Sequence, residues 1–149
     1  MSTILDLVGK YPVKRYDTGK LVLEQRHDSG HMYVLLEGEV EVFREGVRIA
    51  RASTPGAVFG EMSALLGGAH TATVRTLKPS TFAVIDDPRA FLASSAEAGL
   101  HVAELLARRL DALNKYLVDV KRQYEGHDHL GMVDEVLEAL MHRHPKARR

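Results

Sequence analysis

The sequence predicts a mostly β fold with flanking helices: an antiparallel, jelly-roll-like β-roll of about eight strands. Three observations lead there. From Val13 to Ile85 the apolar residues come in short runs and alternations. Gly, Pro or Asp turns separate those runs at close spacing. No long helical period interrupts them, so parallel crossovers and a doubly wound sheet are disfavoured.

Ser2 and Thr3 can cap a short N-terminal helix through Val8, with Asp6 near its positive end. Gly9 and Pro12 end it. Leu21 and Leu23 then mark a short strand read as alternating, and Tyr33-Val34-Leu35-Leu36 forms a denser strand. Val40-Glu41-Val42-Phe43-Arg44 follows the turn at Gly38, and Val47, Ile49 and Ala50 follow Glu45-Gly46. Val58-Phe59, the alternation Ala72, Val74, Thr76, and Phe82-Ala83-Val84-Ile85 complete the strands. Pro88 opens a short helical stretch from Arg89 to Leu92.

After Ser94-Ser95 the period becomes helical, and the long helix is expected from Leu100. Ala103, Leu106, Leu110, Leu113, Leu117, Val120 and Tyr124 are spaced three and four apart in alternation, a heptad seam. A stripe this narrow favours pairing with a second copy of the chain over packing on its own sheet. Gly126 breaks that helix and Asp128 can cap another. Met132, Val133, Val136, Leu137 and Leu140 mark the apolar face of this last helix, which is followed by a basic tail. The expected organisation is residues 1–99 as the β-roll, 100–125 as the long helix, and 126–149 as the last helix and tail.

Composition narrows the function. The chain has 149 residues, 45% of them hydrophobic, with twenty basic and twenty acidic residues. This balance argues against a protein built to grip nucleic acid. Cysteine is absent, which rules out disulfides and thiolate metal sites and fits a reducing, cytoplasmic setting. No signal-peptide pattern and no run long enough to span a bilayer is expected. No catalytic constellation is visible, so a non-enzymatic role is expected. His27 and His31 have the wrong spacing for a jelly-roll metal centre, and no metal site is expected.

The stretch from Gly56 to Thr76 carries the chemistry. Gly60 lets the backbone approach a ligand closely. The helix that begins at Glu61 turns unpaired N–H groups toward whatever lies in front of it, an arrangement that favours an anion. Glu61 can accept from a sugar hydroxyl, and Thr71 and Thr73 can offer hydroxyls from the next strand. These parts together suit a sugar phosphate.

Phe59-Gly60-Glu61-Met62-Ser63-Ala64-Leu65-Leu66, then His70-Thr71-Ala72-Thr73-Val74, resembles the phosphate-binding cassette of the cyclic-nucleotide-binding domain. That domain is shared by catabolite-activator-type regulators, kinase regulatory regions and gated channels. The stretch Asp28-Ser29-Gly30-His31-Met32-Tyr33 through Val40 is similar to the family's strand hairpin, with Ser29-Gly30 where the family has Gly-Asp. The resemblance implies that Gly60 borders the ribose phosphate, Glu61 holds the ribose 2′-hydroxyl, and Met62 and Ser63 supply backbone donors. It implies further that Thr71 borders phosphate and base, as in members that favour guanine. The departure is His70, where the family carries the arginine that neutralises the cyclic phosphate. Arginine is always charged and binds bidentately, whereas histidine directs one N–H and is mostly neutral at pH 7.

Three outcomes follow from that exchange. A nucleotide, cAMP or cGMP, binds more weakly and protonates His70; or Arg75, Arg51 or Arg48 replaces the missing cation; or the domain binds no nucleotide and serves as a dimeric protein-interaction module. The segment after Tyr124 is too short for a helix-turn-helix, so direct sequence-specific DNA binding is not expected. The last helix is instead a candidate dock for a protein partner.

Overall fold

The computed structural model describes residues 3–123, 135 and 138–141. The chain divides into two units, Met1–Val102 and Ala103–Arg149. The first opens with α1 (Ile4–Leu7), where Thr3 and Asp6 cap each other reciprocally: Thr3 N–H donates to Asp6 Oδ2 at 3.0 Å and Asp6 N–H to Thr3 Oγ1 at 3.3 Å. The strands are β1 (Val13–Tyr16), β2 (Leu21–Leu23), β3 (Met32–Glu37), β4 (Val40–Arg44), β5 (Val47–Ala52), β6 (Val58–Phe59), β7 (Thr73–Thr76) and β8 (Ser80–Ile85). Between β6 and β7 lies α2 (Glu61–Leu66); after β8 come α3 (Pro88–Ser94) and α4 (Ala96–Gln123).

The eight strands form two antiparallel four-stranded sheets, ordered β1-β8-β3-β6 and β2-β7-β4-β5. This is the roll that the turn spacing predicts. The core sits between the sheets around Phe82, which is fully buried. Tyr16, Tyr33 and Phe59 meet the Phe82 ring edge-on at centroid distances of 5.7, 6.3 and 6.2 Å. Such edge contacts add roughly 0.5–1.5 kcal/mol each beyond the area they bury.

Some local readings change. The alternation of Leu21 and Leu23 does not hold: the β2–β7 register shifts between them, so Val22 and Leu23 both enter the core and Leu21 stays exposed. A bulge reverses the facing of every residue beyond it, and sequence period alone does not reveal it. The third helix runs Pro88–Ser94, longer than its expected four residues, because Asp87 accepts from Ala90 N–H at 3.2 Å and Pro88 occupies the first turn. The long helix starts at Ala96 rather than Leu100, with Ser95 Oγ accepting from Ala98 N–H at 3.2 Å. Its first turns, Ala98 and Val102, are buried in the first unit.

In the second unit, Ala103, Leu106, Leu110, Leu113, Leu117 and Val120 lie on α4 and none of them is buried. Leu110 and Leu113 are 42% and 45% exposed. Tyr124, Met132, Val133, Val136 and Leu137 lie outside the described residues; Leu140 is in a helical turn and exposed. No helix among the described residues is long and apolar enough to cross a membrane.

One turn is set by sterics. Gly38, between β3 and β4, has φ +125°, and a Cβ there would come within 2.6 Å of Ser80 Cα. Ser80 cannot retreat easily: its hydroxyl donates to Lys78 C=O at 2.8 Å and accepts from Glu39 N–H at 3.2 Å.

Candidate functional site

Strand β6 delivers Phe59 to the core and Gly60 to the mouth of α2. Gly60 has φ +86°, and a Cβ on it would sit 2.7 Å from His31 C=O, so only glycine lets the chain pass the loop before β3 this closely. Glu61 begins α2 and is buried at 3% exposure, with interactions of its own. Met62 is exposed at the start of the helix. Ser63 folds its hydroxyl back to donate to Gly60 C=O at 3.1 Å. Gly67 and Gly68, both at positive φ, then return the chain toward the sheet.

The returning segment is clamped by its main chain. His70 N–H donates to His27 C=O, and Arg26 N–H donates to His70 C=O, both at 2.9 Å. This seats the His70 side chain between the β2–β3 loop and α2, with 4% of the residue exposed. Nδ1 lies 3.0 Å from Ser63 Oγ and Nε2 lies 2.6 Å from Ser29 Oγ. Ser29 Oγ also accepts from His31 N–H at 3.2 Å. Both ring nitrogens are therefore engaged by hydroxyls within the chain.

Burial holds the His70 pKa below the ordinary imidazole value; His31 and His27 push the same way, and Asp28 opposes them. At neutral pH the ring is uncharged. It takes up a proton at a lower pH than an ordinary imidazole, unless something nearby, such as an anion, offsets the desolvation.

The sequence-derived residues separate into two places. Gly60, Ser63 and His70 come together directly; Glu61 and Met62 open the helix between them, and Thr71 follows His70, half-buried. Thr73 goes elsewhere. Its hydroxyl accepts from Gln25 N–H at 3.0 Å, and it lines a groove of about 270 Å³ with Leu21, Gln25, Phe43, Gly46 and Arg75. That groove shares no lining residue with the His70 cluster.

Two of the three arginines considered as substitutes, Arg75 and Arg51, are engaged in their own pairs. Arg75 donates to Glu41 at 2.6 Å and lies over the Phe43 ring at 5.1 Å, on the β7 face opposite buried Val74. Arg51 pairs with Glu39 at 3.0 Å. Arg48 is exposed on β5, the edge strand of its sheet. The charge at this site thus depends on His70 itself. Ser29 is the participant that sequence reasoning leaves out. Its signal is the loop where the resembling hairpin carries Gly-Asp, but a partner 41 positions away is not visible from spacing.

Comparison with known proteins identifies the family and agrees with the fold. The profile of the cyclic nucleotide-binding domain matches residues 13–93. The cAMP-dependent protein kinase regulatory subunit of Yarrowia lipolytica is 29% identical over 73 residues, covering 49% of this chain and 19% of that protein. The chain spans about a fifth of the length of this curated relative. Among solved structures, the Thermus thermophilus catabolite activator protein is similar in fold, with TM-score 0.65 and 23% identity over 90% of this chain and 80% of that one. The regulatory subunit of a cAMP-independent protein kinase A from Trypanosoma brucei has TM-score 0.50 and 20% identity over 54% of this chain and 30% of that one.

Proposed function

This chain belongs to the cyclic nucleotide-binding domain family, and from that membership we propose that it is a non-enzymatic regulatory module whose ligand is cAMP or cGMP, bound weakly and with a dependence on pH. The observation that carries this reading is His70, buried and neutral beside Gly60 and Ser63, at the position where the cassette pattern expects arginine. Gly60, Glu61, Met62, Ser63, His70 and Thr71 are the proposed ligand-binding residues. Thr73 is left out of this set, because its hydroxyl accepts from the Gln25 backbone in a separate groove.

The sign of the pH dependence follows from linkage. In the free protein the His70 pKa is lowered, and a bound phosphate anion raises it. Affinity therefore rises as pH falls from the pKa of the complex toward that of the free protein, by up to about tenfold per unit for one proton, and levels off below the lower value. Calorimetric titration with each nucleotide at about pH 6 and about pH 8 tests this, since that interval brackets ordinary imidazole titration. Tighter binding at the lower pH is expected. No heat with either nucleotide at either pH, and none after His70→Arg, sinks the sensor reading.

A second reading has its own support. Both His70 ring nitrogens are already paired, and α4 carries an apolar stripe in which no described member is buried. A dimeric interaction module that binds no nucleotide fits these two facts. In both readings the stripe pairs with that of a second copy. Sedimentation of the full chain as a dimer, and of Leu113→Glu as a monomer, is the expected result. An unchanged mass in the variant means the stripe is covered within one chain. For the stripe to report ligand, the nucleotide must bind two positions of α4 with different affinity.

A further inference from the structure

The hydrogens around His70 can be assigned from the heavy atoms. Ser63 has one hydroxyl hydrogen and donates it to Gly60 C=O at 3.1 Å. Its oxygen must then accept from Nδ1, 3.0 Å away, so Nδ1 carries the ring proton. Nε2 is left with a lone pair, and Ser29 at 2.6 Å is the hydroxyl that can fill it. The Ser29 oxygen meanwhile accepts from His31 N–H at 3.2 Å. The chain of donors runs one way, from His31 N–H through Ser29, His70 and Ser63 to Gly60 C=O.

We propose that Ser29 is a positioning residue for His70: its hydroxyl fixes the ring as the Nδ1–H tautomer, occupies Nε2, and makes proton uptake at Nε2 the step that admits an anionic ligand. The ligand part of this inference rests on the nucleotide-binding reading above; the tautomer part does not. When Nε2 is protonated it becomes a donor, and Ser29 must turn its own hydrogen away, because two hydrogens cannot share the Nε2···Oγ line. The ring then offers charge where it had offered a lone pair. The ionisable groups around it are His27, Asp28 and His31 from the β2–β3 loop, Tyr33 behind Ser29, and Glu61 on α2. Asp28 favours the charged ring, and His27 and His31 disfavour it.

The test begins without ligand, on the full chain labelled at histidine nitrogens. Nitrogen NMR at neutral pH is expected to find His70 protonated at Nδ1; protonation at Nε2 instead overturns the proposal. Ser29→Ala removes the donor to Nε2 and exposes that nitrogen to water, so the His70 titration midpoint is expected to move up. Ser29→Thr keeps the hydroxyl and is expected to hold the midpoint at its original place. A midpoint that is the same in all three proteins overturns the positioning role. Calorimetry with cAMP and cGMP then separates this from a merely structural effect. The pH at which affinity falls off is expected to shift up in Ser29→Ala together with the NMR midpoint. Weaker binding with an unmoved pH profile overturns the coupling. Absence of any heat from the parent chain and from His70→Arg removes the nucleotide reading, while the NMR result still decides the tautomer and its control by Ser29.

Discussion

Substituting arginine for His70 is expected to tighten cyclic-nucleotide binding by roughly one to two decades and to flatten its pH dependence. In the proposed complex, histidine has to draw a proton onto a buried ring and give up its contact with Ser29 before it can meet a phosphate oxygen. Arginine brings a permanent charge and two parallel donors. One charge-assisted hydrogen bond contributes about 1.5–3 kcal/mol net, which corresponds to that change in affinity. Titration of parent and variant across the same pH range measures both effects. An affinity gain that keeps the parental pH slope would place the titrating group elsewhere. Affinity that falls in the variant would mean that this pocket, shaped around an imidazole, does not accommodate the longer side chain productively.

Gly38→Ala is expected to cost the fold about 3 kcal/mol or more, from a strained positive φ and an overpacked turn, each of which costs about 1–3 kcal/mol. At φ +125° no L side chain is comfortable, and the added methyl meets the backbone of Ser80. Ser80 is held from both sides, by Lys78 C=O and Glu39 N–H, so relief requires β3–β4 to pull away from the start of β8. Because β3 pairs with β8 along most of its length, the strain enters the centre of one sheet. Urea unfolding followed by far-ultraviolet circular dichroism should show a much lower midpoint at unchanged slope. A loss of under about 1 kcal/mol would mean that the turn relaxes locally, in the range of ordinary surface changes.

Much of the fold was readable because turns and strands announce themselves locally. Glu45-Gly46 lies between β4 and β5 and Pro55-Gly56 before β6, and the run Tyr33 to Leu35 is buried as its density suggests. The cassette was readable because Gly60, Glu61 and the residues after His70 form a contiguous pattern. What escaped depends on contacts distant in sequence. The exposure of Leu21 follows from a bulge against β7, and a bulge has no composition. Thr73 and Thr71 look equivalent along the chain, yet Thr73 begins β7 and is bound to the Gln25 backbone, in a groove apart from His70. Arg75 reads as a spare cation until Glu41 and Phe43, more than thirty positions earlier, are found beside it. The start of α4 was a different kind of miss. Ser95 three residues before Ala98 is a local capping signal, and the heptad pattern further on drew attention past it.

The main-chain clamp that joins Arg26 and His27 to His70 makes these segments one cooperative unit. Two reciprocal amide bonds tie a loop before β3 to the exit of α2. The amide hydrogens of Arg26 and His70 are therefore expected to exchange with solvent through a single opening, at one common free energy, although they stand far apart in the chain; hydrogen exchange checks this, and unequal protection of the two overturns it. A ligand that settles against the imidazole slows the exchange of both together. If the nucleotide reading holds, the loop ahead of β3 is expected to show this slowing as clearly as the segment that carries the imidazole.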